Sequence, residues 1–156
     1  MSGIRLGDVP DIKAIWELAL ELRDQSSYAG IKADKEKFTR MVAGMMSDKT
    51  SRVIVIVDDD DQPQGFLLGL VEELFWSRSR YGTDLAVYVR AGYRRYVPRM
   101  FKEFITWAES KPRVVRIILG LSSGIGTEER TGKVYNQLGL QDVGGLYMKE
   151  VNPCPV

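Results

Sequence analysis

Residues 85–102 read LAVYVRAGYRRYVPRMFK and join a strand to a helix through a basic turn. The β-branched and aromatic residues of 85–89 predict a strand. Pro98 suits the first turn of a helix, where its missing backbone N–H costs least, and apolar residues then recur at helical spacing. A second β-branched run occupies residues 114–121. A helical crossover between the two strands predicts that they are parallel.

The chain before this segment predicts three strands and two helices. Residues 4–6 form a short strand, and Asp8 is placed to cap the helix after it. Asp34 is placed to cap a second helix. Residues 53–57 and 66–73 then predict two further strands, so that three successive strands are antiparallel.

The chain after this segment predicts one more helix and two strands. The helix starts at Thr127 and is stopped by Gly139, and a hairpin-like pair follows at 141–143 and 146–151. The order is β-α-α-β-β-β-α-β-α-β-β. We therefore expect a single α/β (α+β) domain over residues 1–156, with a mixed, mostly antiparallel central sheet of six to seven strands flanked by four helices.

The composition excludes several kinds of chemistry. The chain has no His and a single Cys, Cys154, which rules out imidazole catalysis and zinc sites built from His or from four Cys. The acids 58–61 favour a hairpin loop over a calcium loop, because a calcium loop needs alternating ligands and a distant Glu. We expect no metal.

The charge balance and the hydropathy bear on partners and location. Lys and Arg number 22 against 21 Asp and Glu, so no global field favours nucleic acid or an anionic membrane. No stretch approaches the ~20 apolar residues needed to span a bilayer, and the N-terminus does not resemble a secretory signal. We expect a cytoplasmic protein that binds neither nucleic acid nor membrane.

The segment from residue 90 to residue 102 is the strongest local anomaly. It holds five cations and no acid: Arg90, Arg94, Arg95, Arg99 and Lys102. A helix N-terminus offers free amides and a positive dipole end, and Arg adds bidentate contacts, so the junction suits a phosphoryl group. The alternative is a solvated basic helix face neutralised by nearby acids.

The order of elements resembles that of the GNAT superfamily of acyl-coenzyme A-dependent N-acyltransferases. Three segments carry the resemblance: IRLGDVPDIKAIWEL near the start, LAVYVRAGYRR in the middle and VYNQLGL near the end. They occur in the order of the family and span nearly the whole chain. The stretch from TDLAVYV through SSGIGTEER to YNQLGL also resembles a subgroup found in tailed-phage genomes, which would place the protein in a host cytoplasm.

The resemblance implies acetyl-CoA as the cosubstrate. The implied contacts are Val87, Tyr88 and Val89 for the pantetheine arm, and Arg94, Arg95, Tyr96, Val97 and Arg99 for the pyrophosphate. The family loop usually has Gly where Val97 stands and a small residue where Arg99 stands, and Pro98 lacks an amide donor. We therefore expect arginine side chains to replace some of the backbone contacts.

The resemblance also implies acetyl transfer to a primary amine. Tyr135 matches the position that protonates the departing thiolate, and a phenol with a pKa of about 10 is protonated at neutral pH; the alternative is an amphipathic core Tyr. Glu73 and Asp84 are the candidate bases for the amine, and at most one of Glu72 and Glu73 can face the cleft. Trp76, Tyr81 and Tyr88 could line an acceptor pocket; alternatively, Trp76 with Arg78 and Arg80 forms a mobile loop that closes over the substrate or docks on a protein. Ser122, Ser123 and Gly124 follow the fifth strand and could contact the coenzyme or form a plain turn.

Two functions of different classes follow from these residues. The first is an N-acetyltransferase that acts by direct attack in a ternary complex, with a small amine or a protein lysine or N-terminus as acceptor. The second is a decayed GNAT-like scaffold, a pseudoenzyme that binds a protein; the phage-like resemblance would make this a host protein. The sequence is compatible with a monomer or a homodimer.

Overall fold

The computed structural model describes residues 1–121 and 128–151. In these residues five strands form one sheet, and four helices cover its two faces. The strands are β1 (Gly3–Leu6), β2 (Ser51–Val57), β3 (Pro63–Glu73), β4 (Arg80–Val89) and β5 (Val114–Ile118). The helices are α1 (Ile12–Gln25), α2 (Lys35–Ser47), α3 (Val97–Glu109) and α4 (Glu128–Gln137).

The sheet follows the order of the chain, β1-β2-β3-β4-β5. Neighbouring strands are antiparallel from β1 to β4, and β5 is parallel to β4. The helix α3 makes the crossover between β4 and β5. The prediction that three successive strands are antiparallel is confirmed, and so is the prediction that the strands joined by the helical crossover, β4 and β5, are parallel.

The helix ends follow from capping side chains. Asp8 and Asp11 form a capping box around a short 3-10 turn, Val9–Asp11, so α1 begins at Ile12. The Asp34 side chain accepts a hydrogen bond from the backbone N–H of Lys37 at 3.0 Å and starts α2. Pro98 lies in the first turn of α3, as its fixed φ and missing donor favour.

Two hydrophobic clusters lie on opposite faces of the sheet. On the face of α1 and α2 the largest fully buried side chains include Ile15, Leu18, Phe66 and Leu68. On the face of α3 and α4 they include Ile54, Leu67, Phe101 and Phe104. Because β2 and β3 are covered on both faces, they are continuous apolar runs rather than alternating ones.

The prediction of strands at 141–143 and 146–151 is wrong, and so is a sheet of six to seven strands. Residues 141–151 have no regular secondary structure, and the Asp142 side chain forms a local turn with the Gly144 N–H at 3.1 Å. Both runs have strand-like composition, but a strand also needs a ladder partner, and none is present in the described chain. Thr127 and Cys154 lie outside the described residues.

The acids between β2 and β3 form the predicted hairpin turn. Asp58 Oδ1 accepts hydrogen bonds from the backbone N–H groups of Asp60 and Gln62, and Arg5 Nε pairs with Asp61 at 2.8 Å. Within the two described ranges, no three His, Cys, Asp or Glu side chains converge in a way that could hold a metal ion. Among the helices described, none has the length and apolar character needed to cross a bilayer.

Candidate active site

The sheet opens between β4 and β5. The strand β4 pairs with β3 over its whole length, whereas β5 pairs with β4 only from Arg80 to Thr83. A bulge at Leu85, which has no partner between the pairs of Asp84 and Ala86 with β3, bends β4 at this point. β5 ends at Ile118, which pairs with Thr83; beyond this pair the chain after β5 leaves β4, and a cleft of about 570 Å³ lies along the open edge of β4.

The cleft has a wall on each side of the sheet. The α1 wall consists of Ala19, Leu22, Arg23, Ser26 and Tyr28, with Ala86 and Tyr88 of β4. The α3 wall consists of Arg94, Val97 and Phe101, with Arg130, Val134 and Tyr135 of α4 and Val87 and Val89 of β4. Asp84, Gly120 and Leu121 lie where the strands part. The cleft is therefore mostly apolar, with a few polar groups directed into it, as is usual for small-molecule sites.

Asp84 and Tyr135 are joined through one residue, Gly120. The Gly120 N–H donates to Asp84 Oδ1 at 3.1 Å, and the Tyr135 hydroxyl donates to the Gly120 carbonyl at 3.0 Å. One side chain comes from β4 and the other from α4, so the backbone after β5 is held from both sides. This arrangement fixes two candidate catalytic groups at the point where the cleft opens.

The phenol of Tyr135 is buried, with 8% of the residue exposed. Its ring packs edge-on against Phe101, with centroids 5.1 Å apart and planes at 83°. Burial, with the nearby Asp84 carboxylate, raises the pKa of Tyr135 well above its usual value. The hydroxyl therefore stays protonated across the physiological range and acts as a hydrogen-bond donor.

The carboxyl of Asp84 also has a raised pKa. Its cause is desolvation, which the Gly120 N–H partly offsets. A carboxylate that binds a proton more tightly is a better base than a solvated one. Among the described residues that line the cleft, Asp84 is the only one with a carboxyl side chain.

The basic segment divides between the cleft and the surface. Arg94 lines the cleft, and no side chain of the described chain pairs with it. Arg95 instead donates to the Gly92 carbonyl at 2.8 Å and stacks over Tyr96, whose hydroxyl contacts Ser2 Oγ at 2.7 Å. Arg99 pairs with Glu103 on the outer face of α3 at 3.4 Å. In this structure only one of the three predicted phosphate arginines faces the cleft.

An ion-pair network fixes the start of the basic turn. Arg90 makes a bidentate pair with Glu21 of α1, and it donates to Gln64 Oε1 at 2.8 Å. The Tyr88 hydroxyl donates to Glu21 at 3.0 Å and accepts from Gln25 at 3.0 Å. The Arg90–Glu21 ion pair holds the end of α1 against β4. Side-chain contacts therefore fix the position of the α1 wall relative to β4.

The other predicted site residues lie elsewhere. Glu73 is exposed at the far end of β3 and pairs with Arg113 at 3.6 Å, so the structure does not bring it to Tyr135. Trp76 is exposed in the turn between β3 and β4, and the Tyr81 hydroxyl donates to Glu72 at 2.9 Å. Ser122, Ser123 and Gly124, which the sequence offers as coenzyme contacts or as a plain turn, lie outside the described residues.

Sequence reasoning missed Arg23, Glu21 and Gly120. The two charged residues lie on the polar side of an amphipathic helix, where charge usually indicates solvent. Gly120 follows a strand, which is an ordinary place for a turn. Only the packing of α1 and α4 on the sheet brings Arg23 and Gly120 to the cleft and Glu21 to Arg90.

Comparison with known proteins identifies the fold. No family model matches the chain, and no curated protein matches it. Solved structures do match: a possible acetyltransferase from Clostridium difficile 630 superposes with a TM-score of 0.69 at 18% identity, covering 97% of this chain and 99% of that one. The chain has the fold of GNAT-type acetyltransferases.

Two further structures with the GNAT fold are similar over their full length. Glucosamine-6-phosphate N-acetyltransferase from Arabidopsis thaliana gives a TM-score of 0.72 at 16% identity, covering 97% of this chain and 99% of that one. An acetyltransferase from Trypanosoma brucei gives 0.71 at 16% identity, covering 97% and 100%. At these identities the likeness establishes the fold, and the chemistry has to be argued from the cleft.

Proposed function

We propose that this chain is an N-acetyltransferase that transfers an acetyl group from acetyl-CoA to a primary amine by direct attack in a ternary complex. The observation that carries the proposal is the meeting of Asp84 and Tyr135 at Gly120, where the cleft between β4 and β5 opens. The GNAT fold supports it, since the similar structures are acetyltransferases.

The α3 wall suits the coenzyme. From Asp84 to Val89 the edge of β4 that faces away from β3 has no strand partner in the described chain, so its backbone groups can pair with the amides of pantetheine. Val87 and Val89 supply apolar contacts beside it. We assign the pantetheine arm to this edge.

The start of α3 suits the pyrophosphate. Over the described residues no side chain caps this helix, and its N-terminal end adjoins the cleft at Val97, whose N–H donates to the Arg94 carbonyl at the end of the preceding 3-10 helix, Ala91–Tyr96. Pro98 removes one first-turn amide from the set that could contact an anion. Arg94, which faces the cleft, supplies a charge-assisted contact in its place; Arg95 and Arg99 would have to change partners to join it.

The reaction needs one bond made and one broken. The amine nitrogen attacks the acetyl carbonyl carbon, the C–N bond forms, and the C–S bond breaks to release the coenzyme thiolate. Asp84, directly or through a water, takes the proton that the amine loses. Glu73 lies too far along β3 for this role in the present structure.

Tyr135 stabilises the leaving sulfur. The phenol pKa is raised above its usual value, whereas a thiol has a pKa of about 8.5. Full proton transfer from Tyr135 to the thiolate is therefore uphill, and the hydroxyl serves as a hydrogen-bond donor to the sulfur. To do so it exchanges the Gly120 carbonyl for the sulfur as its acceptor.

The experiment is a thiol-release assay with acetyl-CoA and a panel of primary amines, with mass spectrometry of the acetylated product. The proposal expects amine-dependent release of free coenzyme A and a product heavier by one acetyl group. Coenzyme A release at the rate of spontaneous hydrolysis with every amine, by a protein shown to be folded, would overturn it.

A further inference from the structure

We propose that the acceptor carries an anionic group, a carboxylate or a phosphate, in addition to its primary amine, and that Arg23 binds this group. The inference rests on the proposed function and specifies its acceptor. The observation behind it is that Arg23, in the last turn of α1, lines the cleft on the α1 wall, opposite the wall to which we assign the coenzyme.

The two walls of the cleft divide the substrates. The coenzyme is assigned to the α3 wall, where the α3 N-terminus and Arg94 lie. The α1 wall lies on the other face of the sheet, and it is left for the acceptor. Its apolar part is formed by Ala19, Leu22 and Ala86. A group bound there approaches the acetyl carbon from the face opposite α3.

The guanidinium of Arg23 is held in place but keeps a free donor. Its Nε donates to Asp24 Oδ1 at 2.9 Å, and its Nη1 donates to the Ile31 carbonyl at 3.5 Å. Its Nη2 has no hydrogen-bond partner within the described ranges. Because two partners orient the planar fork, the remaining donor can bind an oxyanion at a small cost in side-chain entropy.

Tyr28 adds a second polar group on the same wall. It follows α1 and lines the cleft, and its hydroxyl makes no hydrogen bond in the part of the chain that is described. The neighbouring Ser26 is not available, because its Oγ donates to the Arg23 carbonyl and accepts from the Tyr28 N–H. Arg23 and Tyr28 therefore each offer an unused donor to the same cleft.

The charges along the cleft favour an acceptor that has an amine at one end and an anionic group at the other. Asp84 lies where the amine must lose its proton, and Arg23 is the charged side chain of the α1 wall among the residues described. An amine with a second ammonium group would bring that group to Arg23, which offers no acceptor to it, and the Asp24 carboxylate paired with Arg23 would offset only part of the repulsion. A neutral amine would leave the Arg23 donor to water. An anionic group gains a charge-assisted hydrogen bond.

The test compares four acceptors at saturating acetyl-CoA: 4-aminobutyrate, O-phosphoethanolamine, 4-aminobutan-1-ol and 1,4-diaminobutane. We expect kcat/KM for at least one of the two anionic amines to exceed that for both other amines by about 10-fold, the size of one charge-assisted hydrogen bond. The first two arms separate carboxylate from phosphate as the group recognised.

Variants of Arg23 connect the preference to this side chain. Arg23→Gln should reduce the preference for anionic amines to within about twofold, and Arg23→Lys should retain part of it. Arg40→Gln, which removes an exposed cation from α2, is the matched control and should change nothing. The Kd of acetyl-CoA should be the same in all of these proteins, since Arg23 is not on the α3 wall.

Three results would overturn the inference, and they are distinguishable from one another. Equal or better use of the neutral amine or the diamine contradicts an anionic acceptor while leaving the acetyltransferase standing. A weaker Kd for acetyl-CoA in Arg23→Gln would assign Arg23 to the coenzyme. Absence of coenzyme A release with every amine rejects the proposed function itself and the acceptor with it.

Discussion

The two edges of β4 behave in opposite ways. Its edge toward β3 is paired from Arg80 to Val89, whereas its edge toward β5 is paired only as far as Thr83. The first edge closes a core in which β2 and β3 are covered on both faces. The second leaves backbone groups, Asp84 and Tyr135 around a cleft. One strand thus serves both the stability of the fold and the candidate site.

The difference shows how a single sheet supplies a rigid wall for a ligand. Each backbone hydrogen bond in the paired part stabilises β4 against the core, so the open edge does not have to be ordered when a ligand arrives. The Asp84–Gly120–Tyr135 contacts hold the backbone after β5 beside the open edge without extending the strand pairing. We expect changes at the paired edge to affect stability and changes at the open edge to affect binding and turnover.

The largest effect is expected at the open edge, from Tyr135→Phe. Loss of the hydroxyl would remove the proposed donor to the leaving sulfur, so kcat should fall by about 100-fold. The Kd of acetyl-CoA should change little, because Phe keeps the contact with Phe101. Steady-state kinetics and calorimetry measure the two quantities.

Tyr147→Phe is the matched control, since Tyr147 is fully exposed beyond α4. It should have the kcat of the parent chain. A Tyr135→Phe protein with normal kcat would show that the phenol is only a core residue.

The next effect is expected from Arg94→Gln. Removal of the one predicted phosphate arginine that faces the cleft should weaken acetyl-CoA binding by about 10-fold to 100-fold, as expected for a charge-assisted contact. Arg99→Gln, on the outer face of α3, should stay within about twofold. Calorimetric titration of both variants decides the matter: a large loss in Arg99→Gln with none in Arg94→Gln would place the pyrophosphate elsewhere.

Substitutions in β3, which pairs with the closed edge of β4, should change the free energy of unfolding instead. A side chain at Gly69 of β3 would overlap the ring of Phe104, so Gly69→Ala should lower the free energy of unfolding by about 1–3 kcal/mol. Gly44→Ala is the control, since nothing lies near a Cβ there and α2 should gain about 0.5–1 kcal/mol. Urea unfolding measures both. Equal stability of the two variants would contradict the packing described for β3.

The smallest effect is expected in the pH dependence of stability. The pKa of Asp84 is raised in the folded state, so its contribution to stability is present below its ordinary value near 3.8 and is lost as the pH rises through the folded-state pKa. Asp84→Asn removes this loss and keeps an acceptor for the Gly120 N–H. The variant should gain stability relative to the parent as the pH rises from 3 to 7, although it loses activity.

Asp48→Asn should show the opposite slope. Hydrogen bonds from the backbone N–H and the hydroxyl of Thr50 lower the pKa of Asp48, so its contribution is present above its ordinary value and is lost as the pH falls. The stability of the parent relative to Asp48→Asn should therefore increase as the pH rises. Thermal unfolding of the three proteins at several pH values compares them, and parallel curves would contradict both assignments.

Local rules predicted most of the fold. Asp34 and Pro98 mark helix starts by their own chemistry, and the crossover from β4 to β5 makes the strands parallel. The prediction of strands at 141–143 and 146–151 was wrong because composition does not show whether a partner strand is present. The site was harder: the residue that positions both catalytic candidates is Gly120, and its role exists only once α4 packs beside β5. Arg23 was missed for the same reason.

The most direct test of the central claim is calorimetric titration of the purified protein with acetyl-CoA. If the open edge of β4 and Arg94 hold the coenzyme despite Val97 and Pro98, acetyl-CoA should bind at one site with a micromolar Kd, a free energy of about −8 kcal/mol. No heat of binding up to millimolar acetyl-CoA would contradict the account of the cleft and of the enzyme.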